Sequence, residues 1–320
     1  MPLRCAILDD YQNVALKLAD WGKLAGEVDV RVYNEGLGDQ ASVIRALKDC
    51  AIVCLMRERT QFPRAVFEGL PELKLLVTSG ARNAAIDLAA AEARKVVVCG
   101  TETPGNPTTE LAFGLMLELA RKIGYENARL KGGARWQTTL GVDLGGKTLG
   151  VVGLGKLGSK AAQIGRAIGM DIVAWSQNLT AERCREVGAT LVSKDELFRR
   201  SDFITVHLQL SPRTRGLIGS QDLGLMKPTA YFINTSRGPI VEEAALLDAL
   251  RNNRIAGAGL DVYDVEPLPL DHPLRKLDNA VLTPHLGYVT EETYLSFYGQ
   301  MVENIGAWQA GKPLRVILPK

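Results

Sequence analysis

Residues 148–169 read TLGVVGLGKLGSKAAQIGRAIG, a segment that joins an apolar strand candidate, a glycine turn and a helix candidate. The three glycines, Gly153, Gly155 and Gly158, have the spacing GxGxxG. Alone that spacing recurs by chance, but between a strand and a helix it points to a dinucleotide cradle. Gly153 would permit the tight turn, Gly155 would let the backbone N–H groups running into Lys156 and Leu157 approach a pyrophosphate, and Gly158 would let helix and strand touch. Ala161 and Ala162 keep the helix close to the sheet. The start of the helix then attracts the anion.

Working outward, the same rhythm recurs along the chain. Before the glycine turn come CAILD, VALKLADW, VDVRVY, ASVIRALKDC, AIVCLM, LKLLVTS and VVVCG; after it come MDIVAW, ATLV, FITVHL, AYFINTS, AGAGLDVY and AVLTPHL. Short apolar runs alternating with amphipathic stretches predict βαβ units and parallel sheets. The loop TETPGNPTTE interrupts this rhythm with two prolines and a glycine ahead of the apolar helix LAFGLMLELARKI, and is read as a hinge. The last stretch, ETYLSFYGQMVENIGAWQAGKP, has helical periodicity and stops at Gly311 and Pro313. The expectation is α/β with two doubly wound domains, a discontinuous one from residues 1–104 plus 291–320 and an inserted dinucleotide-binding one from 105–290. A length of 320 residues suits two cores rather than one.

Composition narrows the function. A formal net charge of +2 gives no electrostatic footprint for nucleic acid or anionic lipid. No segment approaches the 18 or so uninterrupted apolar residues that a membrane span needs, and the amino-terminal MPLRCAILDD carries charge where a signal peptide needs an apolar core. The five cysteines are odd in number and without zinc-type pairing, so they read as buried apolar residues of a reducing compartment, and no metal site is expected. The cytoplasm is the expected location.

The strand DIVAW should end in an acid that binds the adenosine ribose hydroxyls of NAD. Instead it runs into Trp175, Ser176, Gln177 and Asn178, with Arg183 the nearest cation. With no carboxylate to repel a 2′-phosphate, the reading leans slightly to NADP(H) over NAD(H). A helix cap before LTAERC is the alternative use of Ser176 and Asn178. Among the three histidines, His285 lies in TPHLG after the strand AVL, where a sheet's carboxyl edge opens onto a crevice; His272 reads as an exposed loop residue and His207 ends ITVHL. By position alone each could be a hydrogen-bonded structural histidine.

GKTLGVVGLGKLG, SDFITVHLQLSPRTRGLIG, FINTSRGPIVEEAALLDAL, GAGLDVYDVEPLP and LTPHLG occur here in one order. Together they resemble the D-isomer-specific 2-hydroxyacid dehydrogenase family over nearly the whole chain, most strongly from about Pro104 to Gly287. The resemblance implies a Rossmann domain and a flavodoxin-like substrate domain with the active site in the cleft between them. It implies hydride transfer between NAD(P)(H) and a small 2-hydroxy or 2-keto acid, with glyoxylate, hydroxypyruvate and phosphohydroxypyruvate as candidates. Arg237 of NTSRG would hold the substrate carboxylate through its planar fork. Glu266 of DVYDVEP would bond one nitrogen of His285 and support the imidazolium, and His285 would exchange the proton. Without the resemblance, Arg237 reads as a surface cation and Glu266 as an exposed loop acid. The likeness also places Thr235, Ser236, Asp261 and Gly287 near the nicotinamide, and His207 and Thr214 on the adenosine side, although Gln209 stands where the family has proline. Tyr288 replaces a usually small residue and would narrow the substrate site.

In the first domain, VTSGARNAAIDL corresponds to the family's carboxylate-binding loop, so the backbone of Ser79, Gly80 and Ala81 would face the acid. Arg82 and Asn83 depart from the uncharged, glycine-rich pattern. MRERTQ resembles the phosphoglycerate dehydrogenase segment LRSRT, which makes Arg57 and Arg59 candidates for a distal phosphate or carboxylate; two solvated cations beside Glu58 are the alternative. A homodimer is implied, with the helix beginning near Thr109 as its contributor because LAFGLMLELA is apolar on more than one face. Two rivals share the scaffold: a dinucleotide-sensing corepressor, and formate oxidation, whose family members carry glutamine where Glu266 stands.

Overall fold

Five apolar runs form the first sheet: β1 (Leu3–Ile7), β2 (Val28–Val32), β3 (Ile52–Leu55), β4 (Leu75–Thr78) and β5 (Val97–Cys99). All pair in parallel, in the order β2-β1-β3-β4-β5, which is the flavodoxin-like order. Every residue of β3 and β4 is buried, as a strand covered on both faces requires, and this is why these strands read as unbroken apolar runs. The computed structural model describes residues 2–319. Seven further strands form the second sheet: β6 (Thr148–Val152), β7 (Asp171–Trp175), β8 (Thr190–Leu191), β9 (Phe203–Val206), β10 (Tyr231–Asn234), β11 (Gly257–Leu260) and β12 (Ala280–Leu282). Their order, β12-β11-β10-β9-β6-β7-β8, is again all parallel and reverses direction between β6 and β9. The architecture is therefore two parallel-sheet α/β domains, one Rossmann and one flavodoxin-like.

The chain divides into two compact units, residues 1–105 with 290–320 and residues 106–289. In the first unit the helix Glu291–Gln309 buries Phe297, Tyr298, Met301 and Ile305. Asn304 Nδ2 of this helix donates to Gly100 O at 2.8 Å, and the segment after it adds an antiparallel bridge, Cys99 to Val316, to the edge of β5. In the second unit the helix Pro107–Arg121 buries Ala112, Phe113, Leu115, Met116, Leu119 and Ala120. Those residues join Leu149, Val151, Phe203 and Ile233 of the sheet in one apolar cluster.

Two local expectations fail. VALKLADW forms turns and the 3-10 helix Trp21–Leu24 rather than an α-helix. The Asp10 carboxylate accepts the amides of Val14 and Ala15 at 3.1 and 2.9 Å, and the single turn that follows, closed by Leu18 N to Val14 O at 3.0 Å, is not continued into an α-helix. LAFGLMLELARKI breaks at Lys122, which takes a left-handed conformation, and a second helix, Ile123–Lys131, follows. The Pro107–Arg121 helix buries most of its apolar residues in its own unit and leaves Leu117 exposed, and further exposed apolar side chains, Ile123, Tyr125 and Leu130, follow it in the next helix. No helix among the described residues is long and apolar enough to cross a membrane.

Candidate active site

A parallel sheet delivers the carboxyl ends of all its strands to one edge, and a ligand crevice opens where the strand order reverses. In the second unit, β6 delivers Gly153, Gly155 and Gly158 to that edge, β7 delivers Ser176 and Asn178, and β9 delivers His207. From β10, β11 and β12 come Thr235–Arg237, Asp261 and His285. Sequence positions 153 to 287 are thereby brought to a common edge.

The glycine turn behaves as its spacing predicts. Gly153 has φ +96°, and a side-chain carbon there would stand 2.6 Å from the His207 carbonyl oxygen. One at Gly158 would run into the Gly153 carbonyl, whereas Gly155, which caps the helix Lys156–Ala167, faces open space. The residues present fit a dinucleotide: open backbone at a helix start, and two buried polar atoms, Thr235 Oγ1 and His207 Nδ1, with no hydrogen-bond partner among the described residues. Of the other adenosine-side candidates, Thr214 Oγ1 already bonds Ser211 N and Gln209 O at 2.8 and 2.7 Å. Ser176 and Asn178 are not a helix cap, because Thr180 caps the helix Ala181–Glu186 by accepting from Arg183 N.

Burial pushes His207 down to about 4, and its Nε2 meets Thr205 Oγ1 at 3.0 Å. An imidazole with a lowered folded value contributes stability above its unfolded value near 6.5, and that contribution is lost as pH falls toward 4. Between those limits the loss should be up to about 3 kcal/mol. Denaturant unfolding of the parent and of His207→Gln at pH 7 and pH 4.5 checks this: the gap between the two proteins should move in favour of the variant at the lower pH.

His285 and Glu266 meet. His285 Nδ1 stands 2.6 Å from Glu266 Oε2, and the other oxygen, Oε1, accepts the Tyr263 amide at 3.0 Å. Glu266 thus holds the imidazole at Nδ1 with one oxygen and the Tyr263 amide with the other. His285 itself sits at φ +55°, a conformation uncommon outside glycine. Asp261 enforces it by accepting from Thr283 Oγ1 at 2.7 Å, Leu286 N at 2.6 Å and Gly287 N at 2.8 Å. Burial raises the Asp261 carboxyl above its usual range, against the opposing pull of the Thr283 hydroxyl, the Leu286 and Gly287 amides and the neighbouring His285. Tyr288, almost fully buried, lays its ring edge-on to the imidazole at 5.6 Å.

Arg237 comes to the same place through backbone contact. At Gly238 an added carbon would lie 2.1 Å from the Tyr263 carbonyl carbon and 2.6 Å from Asp264 N, so the Arg237 loop and the Glu266 loop touch only because residue 238 is glycine. Asn234 braces the Arg237 loop, its Nδ2 donating to Arg237 O at 3.0 Å and its Oδ1 accepting Ser236 N at 3.0 Å. Ser236 Oγ is tied to Val206 O at 2.6 Å. Tyr263 OH donates toward Leu260 O and Thr283 O, bridging the ends of β11 and β12. Tyr263, Gly238 and Asn234 escaped the sequence reading although all three lie inside its motifs. His272 is not an exposed loop residue: it is half-buried, its Nε2 is 3.1 Å from Glu243 Oε1, and its Nδ1 accepts Leu274 N.

The first unit gathers Arg57, Ser79 and Gly80 at its own carboxyl edge. Arg57 takes φ +52°, its amide donates to Ser79 Oγ at 2.7 Å, and Asn83 Nδ2 donates to its carbonyl at 2.6 Å. Its guanidinium covers Gly80, where a side-chain carbon would collide with Nη1. Asn83 also donates to Thr78 Oγ1 at 2.8 Å, which accounts for an amide at this loop position. Arg57 is thus a fixed cation rather than a freely solvated one, with a side chain about one-fifth exposed. Arg59 stacks over Tyr11 at 5.6 Å.

The model of the D-isomer-specific 2-hydroxyacid dehydrogenase NAD-binding domain matches residues 113–287. The chain belongs to that family. A Staphylococcus aureus protein described as a 2-hydroxyacid dehydrogenase is 38% identical over 314 residues, 95% of this chain and 96% of that one. A Ralstonia solanacearum structure described as a D-3-phosphoglycerate dehydrogenase oxidoreductase superposes with a TM-score of 0.92 at 36% identity, covering 99% of this chain and 97% of that one. A Vibrio cholerae phosphoglycerate oxidoreductase gives 0.91 at 35%, covering 97% and 99%. Membership makes the protein an oxidoreductase of the D-2-hydroxyacid dehydrogenase class that uses a nicotinamide dinucleotide. The dehydrogenase's matched segment contains Arg237, Glu266 and His285.

Proposed function

We propose that this dehydrogenase reduces a small 2-keto acid, of the glyoxylate, hydroxypyruvate or phosphohydroxypyruvate kind, to the D-2-hydroxy acid. The 2.6 Å His285–Glu266 pair beside the glycine-enforced Arg237 loop carries the reading. The bound dinucleotide supplies the hydride. Arg237 grips the carboxylate and 2-oxygen through two parallel N–H bonds. His285 Nε2 donates the proton to the carbonyl oxygen, while Glu266 holds Nδ1–H, fixes the tautomer and offsets the imidazolium charge. Thr235, Ser236, Asp261 and Gly287 are assigned to the nicotinamide side, and Gly153 to Gly158 with Ser176, Asn178, His207 and Thr214 to the pyrophosphate and adenosine. The Arg57 guanidinium and the Ser79, Gly80 and Ala81 backbone are assigned to the acid group.

The neutral residues after β7 support use of NADP(H) in preference to NAD(H). Loss of reduced-nicotinamide absorbance with NADH and NADPH against a panel of keto acids tests both points. Turnover of at least one acid, with the higher kcat/KM for NADPH, is the expected result; no turnover of any acid would sink the reading.

A homodimer is proposed through residues 123–140, which follow the Pro107–Arg121 helix. Trp136 is 70% and Leu140 95% exposed, and Ile123, Tyr125 and Leu130 of the same segment are exposed too; large exposed apolar side chains concentrated in one stretch favour association. Glu126 Oε1 orders the segment by accepting from the amides and hydroxyls of Thr138 and Thr139. Trp136→Glu combined with Leu140→Glu should convert a dimer into a monomer in light scattering at micromolar concentration. A parent already monomeric there would refute the assignment. Five buried free thiols fit a reducing, cytoplasmic setting.

A further inference from the structure

We propose that Arg183 is the side chain that reads a phosphate on the 2′-position of the cofactor's adenosine ribose. The inference rests on the dinucleotide reading of the glycine turn and gives the cofactor preference a residue. β7 lies beside β6 in the sheet, so the residues that follow it, Ser176, Gln177 and Asn178, stand next to the glycine turn where an adenosine ribose is held in this fold. None of the three carries charge. A 2′-phosphate carries close to two negative charges at neutral pH and needs a cation from elsewhere.

Arg183 is wired to the turn. Its Nη2 donates to Ser159 Oγ at 2.8 Å, and Ser159, a buried residue of the first turns of the helix Lys156–Ala167, donates onward to Leu154 O at 3.1 Å. Leu154 is the residue between Gly153 and Gly155. Two hydrogen bonds therefore separate the guanidinium from the backbone that cradles phosphate. Of the other cations on these elements, Arg166 lies against Gly188 and Lys194 bonds Asp222 and Leu217 O, while Arg185 stands in an exposed pair with Glu182 and Lys156 and Lys160 are exposed on the glycine-turn helix; Arg183 is the one bonded to Ser159.

The other side of the guanidinium is held by Glu186 one turn along the same helix, with side chains 44% and 59% exposed. An exposed i,i+3 pair contributes little, because solvent screens it and two long side chains must be ordered to make it. A phosphate dianion offers two or three charge-assisted bonds to the same planar fork. Glu186 is then a placeholder that keeps the guanidinium ordered and gives way when a 2′-phosphate arrives. A staple between two helices, indifferent to the cofactor, is the competing role.

Isothermal titration with 5′-AMP and adenosine 2′,5′-bisphosphate separates the two roles without requiring turnover. The parent should bind the bisphosphate at least tenfold more tightly than 5′-AMP. Arg183→Gln should abolish that preference while leaving 5′-AMP affinity within twofold, Arg183→Lys should keep part of it, and Glu186→Gln should widen it. Equal weakening of both ligands in Arg183→Gln, or a parent that binds 5′-AMP as tightly as the bisphosphate, overturns the proposal in favour of the staple. A parent that binds neither overturns the proposal and the cofactor reading together. A clear 2′-phosphate preference in a protein that turns over no keto acid would leave Arg183's role standing and fault the substrate reading alone.

Discussion

His285→Asn should lower kcat for keto-acid reduction by about 10²- to 10⁴-fold, the range that a positioned proton donor contributes. Asparagine is the informative replacement because residue 285 sits at φ +55°, a region that asparagine tolerates far better than alanine or glutamine. The backbone of the 283–287 turn, with its three bonds to Asp261, should survive, and dinucleotide affinity with it. The loss must then appear in kcat rather than in cofactor binding. Absorbance assays at saturating cofactor, with dinucleotide affinity measured separately, check the split. A variant retaining more than a tenth of the parent rate would mean that some other group supplies the proton.

Gly238→Ala tests the second requirement, that a cation and an acid carried on different loops be held at one place. The added methyl would meet the Tyr263 carbonyl carbon at 2.1 Å and its oxygen at 2.3 Å. Both obstacles are main chain, so no rotamer change relieves the clash and the two loops must part by an ångström or more. Misplacement on that scale costs on the order of 10²-fold in rate, and overpacking of this kind costs about 1–3 kcal/mol of stability. The expected outcome is a fall of at least about 10² in kcat/KM with a lowered thermal midpoint. Parent-like kinetics would show that the loops need not touch for the chemistry to proceed.

Much of the fold was legible because each strand carries its own signal. All twelve strands coincide with apolar runs read from the sequence, and the strongly apolar β3, β4, β6 and β9 are buried throughout or nearly so. The glycine turn was equally plain, since its spacing encodes a local shape. The ends of some elements were not legible: the amphipathic pattern of VALKLADW does not show that it closes only one turn on the Asp10 carboxylate, and nothing in LAFGLMLELARKI marks Lys122 as a left-handed break. The candidate site needed more than periodicity. Arg237, Glu266 and His285 are separated by 28 and 18 intervening residues, and no local pattern says that they share a sheet edge. The family resemblance supplied that proximity. What it did not supply was the support beneath: Gly238 as a contact point, Tyr263 as the tie between β11 and β12, Asn83 as the brace for Arg57, and the Glu243 partner of His272.

The helix Glu291–Gln309 belongs with the strands at the start of the chain, although 184 residues of another compact unit, 106–289, lie between them. On the ribosome the inserted unit emerges whole and can fold while the earlier one still waits for Phe297, Tyr298, Met301 and Ile305 to cover its apolar surface. Synthesis therefore leaves β1 to β5 partly uncovered for the time needed to translate more than half of the protein. Over that interval the nascent chain presents an open sheet edge at β5, so cotranslational holding by a chaperone would bear on the yield of this enzyme more than on its final stability.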